Sequence, residues 1–472
     1  MMDPIRTIKL PKGWISLKFE NLMAPNKCSI KRGPFGSTVK KAYFVKSGFK
    51  VYEQKNAIYD NHKLGNYYIN EEKFNELSDF AVKPGDFLVS CSGTIGKITQ
   101  LPDEAERGII NQALLKLSLD KSLILSKYFL YYFRSHIFQK RILKETRGSA
   151  IKNITSVKDI KSILISLPPL NEQNLIVEKI EELFSKLDAG TAALERIRVK
   201  IKNYRQAVLK HAFAGKLTEK WREKNKNQLV TALNLLKNSN KITNLEVYNY
   251  SLYDLPNKWF WAKIDDVSEV VRGASPRPAG HPKYFGGKIP WITVREITKD
   301  SNVFLYSVSN FLTTEGKKKS RYIESGTFLL TNSGATLGVP KISSIGGCIN
   351  DGSVAIIGLN NTLKLYLYYF LLGQTKNLRR INQGAAQPNL NTGIVRKIVF
   401  PLPPVKEQEK IVEEIERRFE NADRVEQVVK KCLKKAEAVR QSILKKAFSG
   451  KLVPQNPADE SAEKLLKKIQ QR

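Results

Sequence analysis

Residues 168–173 read Pro-Pro-Leu-Asn-Glu-Gln, and residues 403–408 read Pro-Pro-Val-Lys-Glu-Gln, an offset of 235 positions. At the same offset, Ala-Phe-Ala-Gly-Lys-Leu at 212–217 recurs as Ala-Phe-Ser-Gly-Lys-Leu at 447–452. Such a repeat sets the plan of the whole fold. The chain therefore consists of a variable block, a matched segment, a second variable block and a second matched segment.

Each matched segment is predicted to form one long helix. Residues 171–213 contain no proline, and apolar or small residues recur in alternating steps of four and three, the heptad pattern of a coiled coil. Proline pairs precede both segments, and Gly215 and Gly450 are natural C-terminal stops. Arg418 interrupts the second seam, where the neighbouring Phe419 can substitute. The predicted seam positions are Ile176, Ile180, Leu183, Leu187, Gly190, Leu194, Ile197, Ile201, Tyr204, Val208, Ile411, Ile415, Arg418, Ala422, Val425, Val429, Cys432, Ala436, Val439 and Ile443.

The charge pattern of the two helices predicts how they pair. Residues 172–191 contain five acids and two bases, whereas 195–216 contain seven bases and one acid, and the second copy repeats this order. Antiparallel pairing is favoured, because it sets each acidic half against the basic half of the other helix. Matching of each helix to its own dipole explains the pattern equally well.

The variable blocks are predicted to be mixed α/β domains. Residues 84–90 and 326–331 read as a turn that leads into a strand, while 123–143 and 363–381 have helical periodicity with aromatic-rich faces. The predicted fold class is therefore α+β with an internal pseudo-repeat. It consists of two mixed α/β domains separated by two long helices that form an antiparallel coiled coil.

Composition indicates a partner that is a polyanion. The 472 residues suffice for two or three domains, and 42% apolar with 26% charged residues is typical of a soluble globular protein. Lys and Arg total 79 against 45 Asp and Glu, so 79 − 45 = +34, which makes nucleic acid the first candidate. No membrane partner is expected, because the most apolar stretch, 122–138, has 17 residues and contains two charges. Residues 1–18 show no signal peptide and the four cysteines lie far apart, so a reducing cytoplasm is the expected location.

No catalytic or metal-binding pattern is recognised. Residues 91–98 resemble a phosphate-binding loop but lack its first glycine and the hydroxyl residue after Lys97. No Gly-x-Gly-x-x-Gly follows a predicted strand, and the four histidines never approach metal-ligand spacing. A non-catalytic chain without a metal or cofactor of its own is therefore expected.

Basic and polar loops remain as candidates for function. Residues 27–50 contain seven Lys or Arg and no acid, and 272–278 read Arg-Gly-Ala-Ser-Pro-Arg-Pro. A second polar loop precedes each long helix, at 146–153 and at 383–389. Such side chains read base edges or hold phosphates, although small polar residues also fill ordinary surface loops. Because the clusters are paired on a basic chain, they favour DNA. The candidate DNA-binding residues are Lys31, Arg32, Ser37, Lys40, Lys41, Ser92, Thr94, Lys97, Arg147, Ser149, Lys152, Asn153, Arg272, Arg277, Lys283, Tyr284, Ser333, Thr336, Gln387 and Asn389.

Together these motifs make the chain resemble the specificity subunit of a type I restriction-modification enzyme. The resemblance rests on the Pro-Pro…Glu-Gln and Ala-Phe-x-Gly-Lys-Leu motifs of both helices, with Gly-Pro-Phe-Gly-Ser at 33–37 and Ile-Pro-Trp-Ile-Thr-Val at 289–294. It covers roughly residues 10–452. The parts that it implies are target-recognition domains at 1–167 and 255–402, spacer helices at 168–222 and 403–452, a connector at 223–254 and a tail at 453–472.

The resemblance implies a subunit that has no activity alone and binds an asymmetric bipartite site on double-stranded DNA. It implies as partners two methyltransferase subunits and two restriction subunits, the latter acting as endonuclease and translocase. S-adenosylmethionine, ATP and Mg²⁺ would be bound by those partners. Two alternatives stay open: a coiled-coil scaffold for acidic protein partners, and the DNA-reading subunit of another modification system.

The spacer helices are predicted to act as a ruler and as a docking site for the methyltransferase. From Ile176 to Val208 there are 32 residues, about 48 Å of helix, against about 34–36 Å for one turn of B-DNA. Apolar residues outside the strict seam are expected to contact the partner, unless the recognition domains cover them. The candidate partner-binding residues are Val177, Phe184, Val412 and Phe419.

Overall fold

The chain divides into two compact units, each with half of each long helix and one of the two variable blocks, which keep the name recognition domains that the resemblance gives them. The first unit comprises residues 1–194 and 430–472, and the second comprises 195–429. The protein is seen here as a computed structural model, which describes residues 10–35, 38–144, 153–227, 229–232, 253–381 and 389–470.

The first recognition domain is built from two four-stranded sheets and two strand pairs. Its strands are β1 (Ile15–Lys18), β2 (Ile30–Arg32), β3 (Phe49–Tyr52), β4 (Tyr68–Ile69), β5 (Ala81–Val82), β6 (Phe87–Ser90), β7 (Ile98–Gln100), β8 (Gly108–Ile110), β9 (Leu114–Leu117), β10 (Leu143–Lys144), β11 (Asn153–Ile154) and β12 (Leu164–Leu167). Helices up to residue 225 are α1 (Gln54–Ile58), α2 (Glu71–Glu76), α3 (Ser126–Arg134), α4 (His136–Ile142), α5 (Val157–Ser162), α6 (Leu170–Phe213) and α7 (Glu219–Asn225). The two larger sheets have the orders β2-β9-β6-β7 and β4-β3-β8-β5.

The second recognition domain repeats this arrangement. Its strands are β13 (Phe260–Lys263), β14 (Glu269–Arg272), β15 (Phe285–Ile292), β16 (Phe304–Leu305), β17 (Phe311–Leu312), β18 (Arg321–Ile323), β19 (Phe328–Thr331), β20 (Pro340–Ser343), β21 (Gly347–Ile349), β22 (Ser353–Ile357) and β23 (Val399–Leu402). Helices from residue 264 onward are α8 (Ile264–Val267), α9 (Val294–Thr298), α10 (Thr314–Lys318), α11 (Asn361–Leu378), α12 (Thr392–Arg396), α13 (Val405–Ala447) and α14 (Ala462–Gln470). Its larger sheets have the orders β14-β22-β19-β20-β16 and β17-β15-β21-β18.

The strand pairing shows that the repeat extends into the variable domains. One main sheet of each domain contains a parallel pair, β3 with β8 in the first domain and β15 with β21 in the second. In the other main sheet of each domain, the central strands β6 and β19 are buried along their whole length, which explains why each reads as a short apolar run. The predicted α+β class with an internal pseudo-repeat is confirmed.

The helix predicted over 123–143 is divided in the structure. It consists of α3 and α4, which are separated at Ser135. The Ser135 hydroxyl accepts a hydrogen bond from Phe138 N at 3.4 Å and so caps α4. The periodicity of the apolar residues continues across this break, which is why the sequence pattern did not reveal it.

The two matched segments form the long helices α6, of 44 residues, and α13, of 43 residues. Gly215 and Gly450 follow their ends with φ of +71° and +67°, the left-handed conformation that glycine adopts without a Cβ penalty. At the end of α6, Gly215 N donates to Ala212 O and Lys216 N to His211 O, which satisfies the last carbonyls of the helix. The predicted stops are confirmed.

Ion pairs within each unit show that the charge pattern guides helix pairing. In the first unit, Arg440 of α13 pairs with Asp188 of α6. In the second unit, Arg205 of α6 pairs with Asp423 and with Glu426, the latter at 2.8 Å. Each pair joins the basic half of one helix to the acidic half of the other, as antiparallel pairing predicts.

The predicted seam is buried at the helix ends, whereas its middle mixes buried positions, such as Ile201, Ala422 and Val429, with exposed ones. Ile176 and Ile180 pack into the first domain, and Ile411 and Ile415 pack into the second. In contrast, Ile197, Tyr204 and Val425 are exposed, as is Cys432. The ends of the seam are therefore parts of the domain cores.

The repeated Pro-Pro…Glu-Gln motif attaches each recognition domain to its helix. Trp14 Nε1 donates to Glu172 Oε2 at 2.9 Å, and Trp259 Nε1 donates to Glu407 Oε2 at 2.8 Å. Gln173 spans the junction, since its Nε2 donates to the carbonyls of Leu123 and Pro168. The repeat therefore recurs because it forms the same buried polar junction twice.

The tail, which has no counterpart in the motifs that repeat along the sequence, packs on the first domain. Ala462 N donates to Gly13 O at 3.0 Å, and Asn171 Nδ2 donates to Asp459 Oδ1 at 3.3 Å. In the second unit, Ala232 N donates to Lys258 O at 3.4 Å in the same way. Each domain is thus contacted by the segment that follows the helix ending beside it.

Candidate nucleic-acid interface

In the second unit, a close crossing of two loops organises the predicted DNA-binding residues. Arg272 ends β14, and Gly273 N donates to Ser353 O at 3.0 Å. A Cβ at Gly273 would lie 2.0 Å from Asn350 O, so only glycine lets the two backbones approach this closely. The loop of 272–277 is thereby held against the loop between β21 and β22.

Asp351, at the tip of that second loop, connects several predicted residues. Its Oδ1 accepts a hydrogen bond from the Ser275 hydroxyl at 2.6 Å, and its Oδ2 lies 3.5 Å from the Arg277 guanidinium. The Asp351 carbonyl accepts from Arg272 Nε at 3.2 Å and from Asn332 Nδ2 at 3.3 Å. Arg272 and Arg277 are both exposed and thus able to contact DNA.

The second polar loop reaches the same place at its described end. Ser333 and Asn389 form an isolated β-bridge, and Leu390 N donates to Asn332 O at 2.8 Å. Asn332 is buried and its Oδ1 has no hydrogen-bond partner within the described chain. Ser333 and Asn389 are therefore placed together with Arg272 and Arg277, although Arg272 and Asn389 lie more than a hundred positions apart in the sequence.

The first unit repeats the crossing. Gly33 N donates to Leu114 O at 2.9 Å, and a Cβ at Gly33 would lie 1.8 Å from Asn111 O. Nearby, the Ser92 hydroxyl donates to Gln54 Oε1 at 3.2 Å. Arg32 precedes Gly33, and its half-buried side chain has an Nε without a hydrogen-bond partner in the described residues.

Other predicted residues lie farther from these crossings. Lys31 pairs with Asp79 at 2.7 Å, and this hydrogen bond lowers the pKa of the Asp79 carboxyl. Lys97 lines a cavity of about 980 Å³ with Arg134 and Asp188, on the side of the domain that faces α6. Lys31 and Lys97 thus make contacts that are not part of the loop crossings.

The remaining predicted positions have simple surroundings. Lys40 and Lys41 are exposed, beside a short 3₁₀ turn, and make no ion pair with any described residue. Lys283 Nζ lies 5.9 Å from the centre of the Tyr284 ring. The Thr94 and Thr336 carbonyls accept hydrogen bonds from the hydroxyls of Ser90 and Thr331, which end β6 and β19. Five predicted residues lie outside the described part of the chain, as does the side chain of Asn153: Ser37, Arg147, Ser149, Lys152 and Gln387.

The residues that the sequence analysis missed belong to the loops after β8 and β21. Asn111 and Asn350 begin these loops, and Gln112 and Asp351 form their tips. A signal was present, because Gly-Ile-Ile-Asn at 108–111 recurs as Gly-Cys-Ile-Asn at 347–350. Among the described residues no cluster of three or more His, Cys, Asp or Glu side chains is placed to hold a metal ion. The described helices include none that is long and apolar enough to cross a membrane.

The four predicted partner-binding residues lie inside the units. Val177 and Phe184 are buried in the core of the first recognition domain, and Val412 in the core of the second. Phe419 packs edge-on against Tyr369, with ring centres 5.9 Å apart. The expectation that these side chains stand exposed on the helix pair is wrong for Val177, Phe184 and Val412, which the recognition domains cover, whereas Phe419 is half-buried.

The match to a known protein family also falls into two parts, one in each half of the chain. A family model described as the type I restriction modification DNA specificity domain matches residues 33–198 and 256–433. The EcoDI specificity subunit of Escherichia coli is 28% identical over 423 residues, which cover 87% of this chain and 89% of the relative. Both matches extend across both recognition domains.

Two solved structures are similar in fold. A chain from a type I R-M system whose complex assembly was studied has a TM-score of 0.58 at 18% identity and covers 94% of this chain and 100% of its own. The HsdS subunit from Thermoanaerobacter tengcongensis has a TM-score of 0.51 at 18% identity, with coverage of 94% and 99%. At this identity the likeness concerns the fold alone.

Proposed function

This chain belongs to the family of type I restriction-modification DNA specificity subunits, and we propose that it binds an asymmetric bipartite site on double-stranded DNA. The observation that carries the proposal is the presence, in each unit, of the same loop crossing with different polar residues around it. Gly33 and Gly273 each allow an equivalent backbone crossing, which we call a frame. The side chains around the first frame include Gln54 and Ser92, whereas those around the second include Arg277, Asn332 and Asp351. Equivalent frames with unlike side chains suit two half-sites of unlike sequence.

The proposed partners are those of a type I restriction-modification complex. We propose that two methyltransferase subunits and two restriction subunits assemble with this chain in the cytoplasm. Under this proposal S-adenosylmethionine, ATP and Mg²⁺ are bound by those partners, and the chain contributes sequence recognition without a catalytic step. Its charge of +34 supplies the sequence-independent attraction to phosphates.

Methylation mapping tests the bipartite site. When the chain is expressed with its methyltransferase subunit in a host that lacks other methylation, methylated adenines should define one motif of two unlike half-sites with unread base pairs between them. Expression of the methyltransferase alone is the control and should leave the DNA unmethylated. A palindromic or a continuous motif would contradict the proposal.

The exposed apolar residues of the two long helices suggest a docking surface other than the four predicted residues. Val199 of α6 and Val428 of α13 are 61% and 60% exposed, and Tyr204 and Val425 are exposed in the same unit. Apolar side chains left uncovered on paired helices suit contact with additional helices. We propose that a methyltransferase subunit packs on this surface.

Replacing Val199 and Val428 together with aspartate should weaken co-purification of the methyltransferase by at least about 100-fold, since a buried unpaired charge costs several kcal/mol. DNA binding by the free chain should be unchanged. Val230→Asp is the matched control, because Val230 is 64% exposed and lies outside the two long helices. If the double variant co-purifies the methyltransferase as well as the unmodified chain does, the docking surface lies elsewhere.

A further inference from the structure

Gln112 and Asp351 occupy the same position in the two recognition domains. Asn111 N donates to Tyr52 O at 3.0 Å, and Asn350 N donates to Ile292 O at 3.1 Å. Leu114 N donates to Asn111 O at 3.1 Å, just as Ser353 N donates to Asn350 O at 3.2 Å. These matched hydrogen bonds close both loops in the same way, so the residue after each asparagine forms an equivalent tip.

The loop crossing places both tips against equivalent backbone segments. Gly33 N donates to Leu114 O and Gly273 N donates to Ser353 O, the residue that ends each loop. Each tip therefore lies beside a loop that begins with an arginine and a glycine. Gln112 is exposed, and the Asp351 side chain is 43% exposed, so both tips are accessible to a ligand.

The two tips differ in their hydrogen-bonding groups, although their frames are alike. A glutamine amide both donates and accepts, and it pairs with the N6 and N7 groups of adenine in the major groove. An ionised aspartate only accepts, and it pairs with the N4 amino group of cytosine. A carboxylate exposed among basic loops is repelled by phosphates, so a base amino group is the DNA partner that suits Asp351.

We propose that Gln112 and Asp351 are equivalent specificity-determining residues, with Gln112 selecting adenine in one half-site and Asp351 selecting cytosine in the other. This inference rests on the proposed function, because it assumes that the loop crossings face DNA. Beyond the proposed function, it names the residue in each domain that distinguishes the bases, and it states which base that residue prefers.

The test uses reciprocal substitutions of nearly the same shape. Binding sites are selected from a randomised DNA pool by the full chain and by its variants Gln112→Glu and Asp351→Asn. Gln112→Glu should change the preferred base at one position from adenine to cytosine, and Asp351→Asn should change one position of the other half-site from cytosine to adenine. The bidentate pair of a glutamine or asparagine amide with adenine is expected to be preferred about 5- to 150-fold.

Controls and outcomes separate this inference from the proposed function. Asp103→Asn and Gln427→Ala change exposed residues away from the loop crossings and should leave every position of the site unchanged. If the unmodified chain selects a bipartite site and both tip variants select that same site, the inference fails while the proposed function stands. Loss of preference at the position without conversion also overturns it, because that result indicates a positioning role through Arg277. If the unmodified chain selects no site, both proposals fail.

Discussion

Raising the salt concentration from about 50 mM to about 200 mM is expected to weaken DNA binding by about 10³- to 10⁵-fold, provided that about six to ten phosphates are contacted. The physical reason is the release of counterions, because each phosphate that a Lys or Arg neutralises frees ions from the DNA. A chain with 79 Lys and Arg against 45 Asp and Glu has the charge to neutralise this many phosphates. Fluorescence anisotropy with labelled duplex DNA over a series of salt concentrations measures the slope.

A double variant with alanine in place of Lys40 and Lys41 tests this prediction. Both are exposed without an ion pair in the described chain, so their replacement by alanine should reduce the log–log slope by about 1.8, about 0.9 for each phosphate that is no longer neutralised. Affinity should fall alike for all DNA sequences. Lys31→Ala is the matched control, because Asp79 already neutralises Lys31, and its slope should stay close to that of the unmodified chain. Binding that does not respond to salt would remove DNA as the partner of the basic surface.

Glu407→Ala is expected to lower the free energy of unfolding of the second unit by about 3–5 kcal/mol, the usual cost of breaking a buried ion pair. Glu407 is fully buried, and its carboxylate accepts hydrogen bonds at 2.8 Å from Trp259 Nε1, Thr218 Oγ1 and Arg222 Nε. Removal of the carboxylate leaves the Arg222 charge and two donors without their acceptor. Chemical denaturation followed by tryptophan fluorescence measures the decrease.

Glu172 is the equivalent residue of the first unit, but its replacement by glutamine should raise the free energy of unfolding at pH 7. Its carboxylate is buried and accepts from Trp14 Nε1, and one of its oxygens has no hydrogen-bond partner in the described residues. Burial raises the pKa of Glu172, and the neighbouring Trp14 and Gln455 side chains only partly oppose this. The folded state therefore favours the protonated form, so stability falls as the pH rises above the pKa of the unfolded chain, near 4.5. At pH values above the raised pKa of the folded state, stability no longer changes with pH through this group.

Glu172→Gln, which resembles the protonated side chain, should accordingly stabilise the first unit at pH 7 and have little effect near pH 4. Glu407→Gln should destabilise the second unit at pH 7, because it removes the charge that pairs with Arg222. Denaturation curves of both variants at the two pH values provide the comparison. If both variants change the free energy of unfolding in the same direction at pH 7, the role assigned to Arg222 is contradicted.

The features that the sequence predicted correctly depend on short-range periodicity and on charge. The steps of four and three between Ile176 and Val208 predicted α6, and Gly215 marked its end. Acids in the first half and bases in the second half predicted the ion pairs of Arg205 and Arg440 with acids of the other helix. These signals can be read from residues a few positions apart, because helical geometry repeats every 3.6 residues.

Tertiary structure alone decided which loops meet and which apolar residues stay exposed. Asp351 meets Ser275 and Arg277 because β14 pairs with β22, a pairing between residues about eighty positions apart. Val177 and Val412 are buried because the recognition domains pack on the helices, whereas Val199 stays exposed although it looks alike in sequence. The repeat, the helices and the order of acids and bases along them were determined by the sequence alone, because period and charge order are read along the chain. The antiparallel pairing that this order favours is seen in the ion pairs of Arg205 and Arg440. The recognition surface was decided by strand pairing between distant segments, which leaves no fixed spacing in the sequence.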